Sequence, residues 1–403
     1  MKLIGDKLCT GCGACVNACP HDAILMNPDP EGFLQPRINK EKCIGCGKCK
    51  RICPLPRIET LIPRQIDKSP LCGCTLDETI WRESSSGGAF SEVCEVMRGE
   101  KPVVFGARFS GADSIVHDSV SSVDDIGIFR KSKYVQSDVG MTFRACRQLL
   151  FDGKYVIYSG TPCQLAGLRS YLGRDFEKLL LVEFICHGVG SPAVFRESLR
   201  WMSKKLHGNV QQYEFRSKRE VPVFDGHVSF YRFDNGKTLS IHCDLYNRFF
   251  LNQLCLRRSC MENCRFRRSE RIADITLGDS RGEEKIYPDK GDKKWSVIVA
   301  NTAKGERVVE MLASRMDVRP YPLALLEKTN PLYFRTTPGN PRRDEFFSLF
   351  RGGQNLFRLS QKFVPDQNTV SLRLFRLIKR ILRKTGVAPC LRWMIRFVRR
   401  QSR

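Results

Sequence analysis

Eight cysteines near the N-terminus form two copies of one pattern. Each copy has three cysteines at two-residue gaps and a fourth that precedes a proline: Cys9, Cys12, Cys15 and Cys19, then Cys43, Cys46, Cys49 and Cys53. Three cysteines at this spacing wrap three irons of a cubane cluster, and the fourth reaches the other cluster. The pattern predicts two [4Fe–4S] clusters, one on Cys9, Cys12, Cys15 and Cys53, the other on Cys43, Cys46, Cys49 and Cys19.

The loops between these cysteines are rich in glycine. Gly11, Gly13, Gly45 and Gly47 let the backbone turn tightly and direct N–H groups at sulfur. Zinc is the alternative for pairs of cysteines separated by two residues. Two intact four-ligand sets favour iron–sulfur chemistry.

Four further cysteines form a second candidate set. Cys163 and Cys186 each follow a predicted buried strand, and Cys260 and Cys264 lie together in a short basic segment. If the two strands are parallel neighbours, Cys163 and Cys186 emerge at the same edge of the sheet, where α/β proteins place their sites. Spacing alone leaves two interpretations open, a third cluster and ordinary buried thiols.

The elements that must position these cysteines indicate an α/β core. Strands are predicted at 101–108, 155–158, 179–185, 272–277 and 295–301, with helices at 142–151, 165–172 and 192–206. Residues 134–138 are expected to be extended, and 224–242 to form a hairpin that turns at Asn235-Gly236. The fold class is therefore mixed α+β and α/β. We expect a two-cluster ferredoxin-like domain at 1–56, a linker at 57–70, a mixed-sheet domain at 71–360 and a basic helical tail at 361–403.

Composition places the chain among globular proteins of a reducing compartment. It has 403 residues, 42% of them apolar, and an odd total of 19 cysteines, which fits metal ligation better than a disulfide framework. No apolar run is long enough to span a membrane. The few residues before Cys9 leave no room for a secretory signal. A cytoplasmic location is expected.

Five segments in a fixed order carry a family resemblance. They are Ser84-Ser85-Ser86-Gly87-Gly88, Lys133-Tyr134-Val135-Gln136-Ser137, Gly160-Thr161-Pro162-Cys163-Gln164, Cys186-His187-Gly188 and Asp274-Ile275-Thr276-Leu277-Gly278-Asp279. Together they resemble the coenzyme F420 hydrogenase/dehydrogenase beta-subunit family over residues 71–335. The resemblance implies a third [4Fe–4S] cluster on Cys163, Cys186, Cys260 and Cys264, a bound FAD, and a substrate that reacts at the flavin. Relatives usually carry an aromatic residue after the last Gly-Asp, whereas this chain has Ser280-Arg281.

The same resemblance suggests where FAD is held. The expected contacts are Ser85, Ser86, Gly87, Gly88, Lys133, Tyr134, Gln136, Ser137 and Asp279. A Ser/Gly stretch is by itself more often a plain flexible turn. His187 is the candidate proton donor, with orientation of the nearby metal site as the alternative role.

The C-terminal tail is a separate basic feature. The chain has a formal charge of +24, and between Ser371 and Arg403 Lys and Arg alternate with apolar residues while acids are absent. Such helices lie on anionic membrane surfaces or dock acidic partners, and a terminal helix packed on the body or a solvated tail is the other interpretation. We expect a peripheral position at the inner membrane face, and no nucleic-acid partner, because no motif that reads bases accompanies the charge.

These features predict an iron–sulfur flavoprotein oxidoreductase that passes electrons between a ferredoxin-like carrier, its [4Fe–4S] clusters, FAD and an organic substrate. Bacterial relatives suggest a role in cell-surface polysaccharide synthesis. One alternative is an electron-relay subunit of a larger redox complex without a substrate of its own. A redox-sensing or scaffold protein is the other alternative.

Overall fold

The computed structural model of the chain describes residues 5, 7–219, 227–262, 264–336 and 339–365. The strands of this part are β1 (Ile24–Pro28), β2 (Leu34–Ile38), β3 (Leu71–Thr75), β4 (Val103–Ser110), β5 (Ser114–Val120), β6 (Val156–Gly160), β7 (Leu179–Phe184), β8 (Val210–Glu214), β9 (Val228–Phe233), β10 (Thr238–His242), β11 (Ile275–Asp279), β12 (Ser296–Ala300) and β13 (Met316–Pro320).

The α-helices of the same residues are α1 (Ala14–Ala18), α2 (Lys48–Arg51), α3 (Ile58–Leu61), α4 (Glu78–Glu83), α5 (Ala89–Val96), α6 (Thr142–Phe151), α7 (Pro162–Leu172), α8 (Pro192–Leu206), α9 (Leu245–Leu251), α10 (Arg258–Glu262), α11 (Ala303–Met311), α12 (Leu323–Thr329), α13 (Arg343–Arg351) and α14 (Leu356–Phe363). None of the described helices is long and apolar enough to cross a membrane.

A mixed eight-stranded sheet forms the centre of the fold. Its strand order is β13-β3-β12-β11-β7-β6-β4-β5, and strands β4, β6, β7 and β11 run parallel to one another. The remaining neighbours in this sheet pair antiparallel. The predicted mixed α/β fold is confirmed, and β6 and β7 are indeed parallel neighbours.

Both faces of the sheet are covered. Tyr158 of β6 packs on one side with residues of α6 and α7, whereas Ile157 packs on the other side with residues of α5 and α11. Because side chains alternate along a strand, strands buried on both faces are nearly continuously apolar. This property explains why the central strands could be recognised in the sequence.

The N-terminal residues share a core with the sheet. Ala14 of α1, and Leu55 and Ile58 near α3, belong to the same buried cluster as α6 and α7. The segment 57–70 thus contains a helix that packs, although its prolines indicated a linker. The predicted domain limits remain a prediction.

Several local predictions match the structure. Helices α6 and α8 have the predicted bounds, and residues 134–138 form isolated bridges through Val135 and Asp138. Strands β9 and β10 pair antiparallel as the predicted hairpin, with Gly236 of the turn at φ 77°. Residues 224–226 of that prediction lie outside the described residues.

Contacts divide the chain into two units, Met1–Gly353 and Gln354–Arg403. The described part of the second unit contains α14, which begins with the Asn355 side chain accepting a hydrogen bond from Phe357 N at 2.7 Å. The one or two basic amphipathic helices predicted at 371–400 lie outside the described residues.

Candidate functional site

The two N-terminal cysteine loops have the same backbone path. Gly11 and Gly45 have φ values of 70° and 73°, and Gly13 and Gly47, which precede α1 and α2, have 79° and 72°. Residues other than glycine rarely adopt this left-handed backbone conformation. The sequence repeat is therefore a structural repeat.

The first cysteine set converges in a cavity of about 300 Å³. Cys9, Cys12, Cys15 and Cys53 line this cavity, and Cys49 of the other set reaches it. Burial raises the pKa of the Cys12 thiol to about 12, and the nearby Cys9 and Cys53 add to the rise. Buried thiols this close to one another are disfavoured as free thiolates, a situation that metal ligation relieves.

The second cysteine set lines an adjacent cavity that contains Cys19, Cys43, Cys46 and Cys49. Burial raises the pKa of Cys49, and Cys19 and Cys43 raise it further. Cys19 thus lies with the later copy and Cys53 with the earlier one, which is the exchange that the pattern predicts. Their role as ligands stays a prediction.

The four body cysteines also lie together. Cys163 is in the first turn of α7, directly after β6, and Cys186 follows β7. Burial raises the pKa of Cys163, and its thiol also interacts electrostatically with Cys260, Cys186 and Cys264. The parallel strands therefore bring Cys163 and Cys186 to one edge, where the segment around α10 supplies the other two.

Small polar groups surround the thiols of the four body cysteines. The Thr161 hydroxyl lies 3.2 Å from the Cys163 sulfur, and Gly188 N donates to the Cys186 sulfur at 3.3 Å. A β-carbon on Gly188 would lie 3.1 Å from Cβ of Cys260. These contacts resemble the N–H and hydroxyl groups that surround cluster sulfurs.

No group of three or more His, Cys, Asp or Glu side chains in the described ranges is arranged around a single metal ion. A cubane cluster has a different requirement, because its four ligands bind four separate irons. The wider convergence of each cysteine set is the arrangement relevant to the prediction.

Arg257 joins the first N-terminal set to the body set. Its guanidinium donates through Nε to the Cys9 carbonyl at 2.9 Å and through Nη1 to the Leu34 carbonyl at 3.1 Å. Ser259 also donates to the Cys9 carbonyl, at 3.1 Å. Arg257 is 2% exposed, and its Nη2 atom has no hydrogen-bond partner in the described part of the chain. In the sequence, Arg257 stood out only as part of a basic segment.

The predicted flavin contacts Gln136 and Ser137 make protein contacts in the structure. The Gln136 amide oxygen accepts from Leu34 N at 2.8 Å, and its nitrogen donates to Leu34 O at 3.3 Å. Ser137 Oγ accepts from Gln164 Nε2 at 3.0 Å. Gln136 thus ties β2 to the sheet edge, a role that the sequence pattern did not indicate.

The Ser/Gly stretch packs against the sheet. A β-carbon at Gly87 would lie 2.3 Å from the Gly73 carbonyl oxygen. This close approach of the backbone is enough to explain why glycine is required there, and no bound ligand is needed for the explanation. Ser86 Oγ donates to Trp295 O at 2.7 Å, and Ser85 Oγ accepts from Ser132 N at 2.8 Å. The stretch is a packed turn in which Ser86 also lies close enough to Asp279 to lower the pKa of its carboxyl.

Lys133 lies next to this turn but points at backbone. Its ammonium donates to the carbonyl oxygens of Phe129 at 2.9 Å and Arg130 at 2.6 Å. The structure therefore uses Lys133 to close the preceding loop.

Tyr134 and Asp279 meet through Arg216, which no sequence pattern pointed to. The Arg216 guanidinium donates to Asp279 at 2.7 Å and also interacts electrostatically with Tyr134. Although burial favours protonation, Arg216 holds the pKa of Asp279 below its usual value. The Tyr134 ring stacks on Phe250 with centroids 4.7 Å apart. The sequence around Arg216 contains no motif that would have predicted its contact with Asp279. The contact is seen only in the fold, where Arg216 lies opposite the end of β11.

Three buried nitrogen atoms at this edge lack partners among the described residues. They are Arg216 Nε, His187 Nε2 and His227 Nδ1. Burial and the nearby Arg267 lower the pKa of His187 to about 4, and its ring lies 5.1 Å from that of Phe250. Buried polar atoms are normally hydrogen-bonded, so these atoms point to a polar ligand.

Two family matches agree with these features. Residues 8–55 match the family described as 4Fe-4S dicluster domain, and residues 153–322 match the C terminus of the beta subunit of coenzyme F420 hydrogenase/dehydrogenase. Fold and cysteine sets thus define an iron–sulfur redox protein of the oxidoreductase class. The chain thus carries a domain similar to the C terminus of the coenzyme F420 hydrogenase/dehydrogenase beta subunit and a 4Fe-4S dicluster domain near its N-terminal end, and these two matches confirm the resemblance seen in the sequence.

One solved chain with a similar structure comes from the F420-reducing [NiFe] hydrogenase complex of Methanosarcina barkeri. It is 15% identical, with a TM-score of 0.42, and the match covers 66% of this chain and 88% of that chain. No curated protein shows a significant match. The similarity to this family therefore rests on the two family matches.

Proposed function

We propose that the chain is an iron–sulfur flavoprotein oxidoreductase with three [4Fe–4S] clusters and one FAD that acts on an organic substrate. The observation that carries the proposal is the convergence of Cys163, Cys186, Cys260 and Cys264 beside an edge with unpaired polar atoms, all within the described ranges. When bound, clusters supply one-electron transfer, and a flavin links one-electron to two-electron chemistry.

The body cysteines fit a cluster by their chemistry. Four half-buried thiols meet here, and the electrostatic interactions of Cys186 with Cys260 and Cys264 raise its pKa beyond the effect of burial. Arg267 supplies compensating positive charge and donates to the backbone oxygen of His187 at 2.7 Å. These residues hold and orient ligands, since such outer contacts fix metal-site geometry.

The edge that contains Arg216, Tyr134 and Asp279 fits a polar, aromatic cofactor. Arg216 keeps one donor atom unpaired within the described residues, while its other end is fixed by Asp279. Tyr134 and Phe250 offer a stacked aromatic surface next to it. Of the predicted flavin contacts, Ser86, Tyr134 and Asp279 are brought together, and we assign them with Arg216 to the FAD site.

His187 is the candidate to hold a proton for the substrate. Its ring nitrogen Nε2 is buried and has no partner in the described structure, and the residue directly follows Cys186. A histidine next to a metal ligand can also serve only to orient the site. Substitution by Gln separates the roles: loss of turnover with unchanged iron and flavin content supports proton transfer, and loss of iron supports orientation.

Anaerobic purification with iron, sulfide and flavin counts tests the proposal. We expect about twelve irons, since each cubane has four, and one FAD per chain. The double variant Cys163→Ser/Cys186→Ser should retain about eight irons. Cys94→Ser is the matched control, because Cys94 is a buried core thiol outside the sets. About eight irons in the wild type would remove the third cluster, and missing flavin absorbance would remove the flavoprotein assignment.

The substrate assignment has a separate test. A sugar-linked substrate in cell-surface polysaccharide synthesis is the proposal, and turnover of a small molecule by the purified chain supports an enzyme. A chain that reduces no small molecule but copurifies with a further protein supports the electron-relay alternative.

The basic tail is proposed to bind an anionic membrane surface. Liposome flotation should show that the full chain binds anionic vesicles and that a chain ending at Asp366 does not. Equal flotation of both proteins contradicts this role and the peripheral membrane location with it.

A further inference from the structure

Among the twelve cysteines predicted to bind iron, all of which the structure describes, Cys46 alone is exposed. The nearby Ile44 is 66% exposed and lines the cavity that the second N-terminal set of cysteines forms. Electron transfer between proteins requires their redox centres to approach closely. The cluster predicted on Cys43, Cys46, Cys49 and Cys19 is therefore the point where an outside protein has access.

The two copies of the internal repeat differ in whether the helix after the cysteine loop is covered by protein. Residues Ala14 and Asn17 of α1 are buried, and Ala14 belongs to the core shared with α6 and α7. The equivalent positions in α2 are Lys48 and Arg51, and both are exposed. One copy of the loop thus packs on protein, whereas the same face of the other copy is open among the described residues.

Charge distinguishes the open copy from the packed one. Within residues 40–57 there are six Lys or Arg and one acid, while residues 8–31 contain three acids and no Lys or Arg. Cluster binding needs the same cysteines in both copies, so it does not explain the difference. Like-signed surface charge around an exposed centre instead steers an oppositely charged partner.

The open face is defined by Lys40, Lys42, Lys48, Lys50 and Arg51 around Ile44 and Cys46. All five basic residues are exposed. Arg51 reaches the Cys46 carbonyl with Nη1 at 3.1 Å. The face combines an apolar centre with a positively charged rim, which is the usual composition of a transient interface.

We propose that a small acidic protein that carries single electrons docks on this basic face. The carrier loses one electron and the chain gains one, with no bond or proton change, and the reverse transfer uses the same contact. The inference rests on the proposed function, because it requires a cluster next to Cys46.

The test measures the rate at which the full-length, cluster-loaded protein is reduced by a reduced acidic [2Fe–2S] ferredoxin of plant type. The wild-type rate should fall as salt is raised, because screening weakens charge steering. The variant Lys42→Glu/Lys48→Glu should be about tenfold slower at low salt and approach the wild type at high salt. The control Lys204→Glu/Lys205→Glu makes the same charge change at exposed positions of α8 and should react like the wild type.

A basic c-type cytochrome as electron acceptor provides the mirror experiment. The Lys42→Glu/Lys48→Glu variant, once reduced, should transfer electrons to it faster than the wild type. Equal rates for wild type and variant, a salt-independent wild-type rate, or an equal loss in the control variant would overturn the docking proposal. Reduction by photochemically generated neutral deazariboflavin radical, together with the iron count, reports the clusters themselves, so failure of the proposed function is seen separately.

Discussion

Removal of the Arg257 charge should lower the reduction potentials of the first N-terminal cluster and of the proposed body cluster at once. Arg257 is 2% exposed and forms no ion pair with a carboxylate of the described chain. Buried charges are normally paired. Among the described residues, the negative charge near Arg257 comes from cysteine thiolates. Arg257 donates to the Cys9 carbonyl and interacts electrostatically with Cys260. A reduced cluster carries one more negative charge, so a nearby cation stabilises the reduced form.

The size of the effect follows from the contact to Cys9. Arg257 Nε lies 2.9 Å from the Cys9 carbonyl oxygen, and the Cys9 sulfur is four bonds from that oxygen, so the two charges are about 7 Å apart. At an effective dielectric constant of about 20, their interaction is about 2.4 kcal/mol. For a one-electron couple this corresponds to about 100 mV.

The measurement is a potentiometric titration followed by electron paramagnetic resonance. Arg257→Met should lower the potential of the cluster on Cys9 by about 100 mV and shift that of the proposed cluster on Cys260 in the same direction, and Arg257→Lys should restore most of the difference. Arg258→Met is the control, because Arg258 is paired with Glu262 at 2.7 Å. Unchanged potentials in Arg257→Met, with full iron content, would refute the reasoning.

Two further predictions concern packing and charge burial. A β-carbon on Gly167 would lie 3.0 Å from the Cys12 sulfur, so Gly167→Leu should lower the iron count, with Gly167→Ala intermediate; three equal counts would contradict this. Arg271 and Glu183 form a fully buried ion pair, so Arg271→Met should lower the free energy of unfolding by about 3–5 kcal/mol in denaturant titrations. Arg307→Met at a pair that is 61% and 80% exposed should change it by less than about 0.5 kcal/mol, and similar losses in both variants would contradict the burial argument.

Periodic features of the sequence predicted much of the fold. Helices α6 and α8 follow a regular apolar repeat, and the central strands β6 and β7 begin with continuous apolar runs because both faces are buried. Strand β3 was missed, since Leu71–Thr75 contains glycine and two cysteines and follows a proline. Its place between β12 and β13 depends on long-range pairing, which local sequence does not encode.

Ligand patterns were visible in the sequence, whereas contacts across the fold were not. The cysteine spacing in Cys9–Cys19 and Cys43–Cys53 belongs to local loops, and such local patterns can be recognised from the sequence alone. Arg216 and Gln136 obtain their roles from partners far away in sequence, Asp279 and Leu34. Such partners become neighbours only when the sheet has formed.

Helix α7 fixes the spacing between the first N-terminal cysteine set and the body cysteines. It carries Cys163 in its first turn, and one turn later Gly167 touches Cys12. Four residues of helix span about 6 Å, so this helix sets the distance between the first ferredoxin cluster and the proposed body cluster. Changes in the length of the peptide between the two parts of the chain should therefore leave that gap, and the tunnelling rate across it, unaltered.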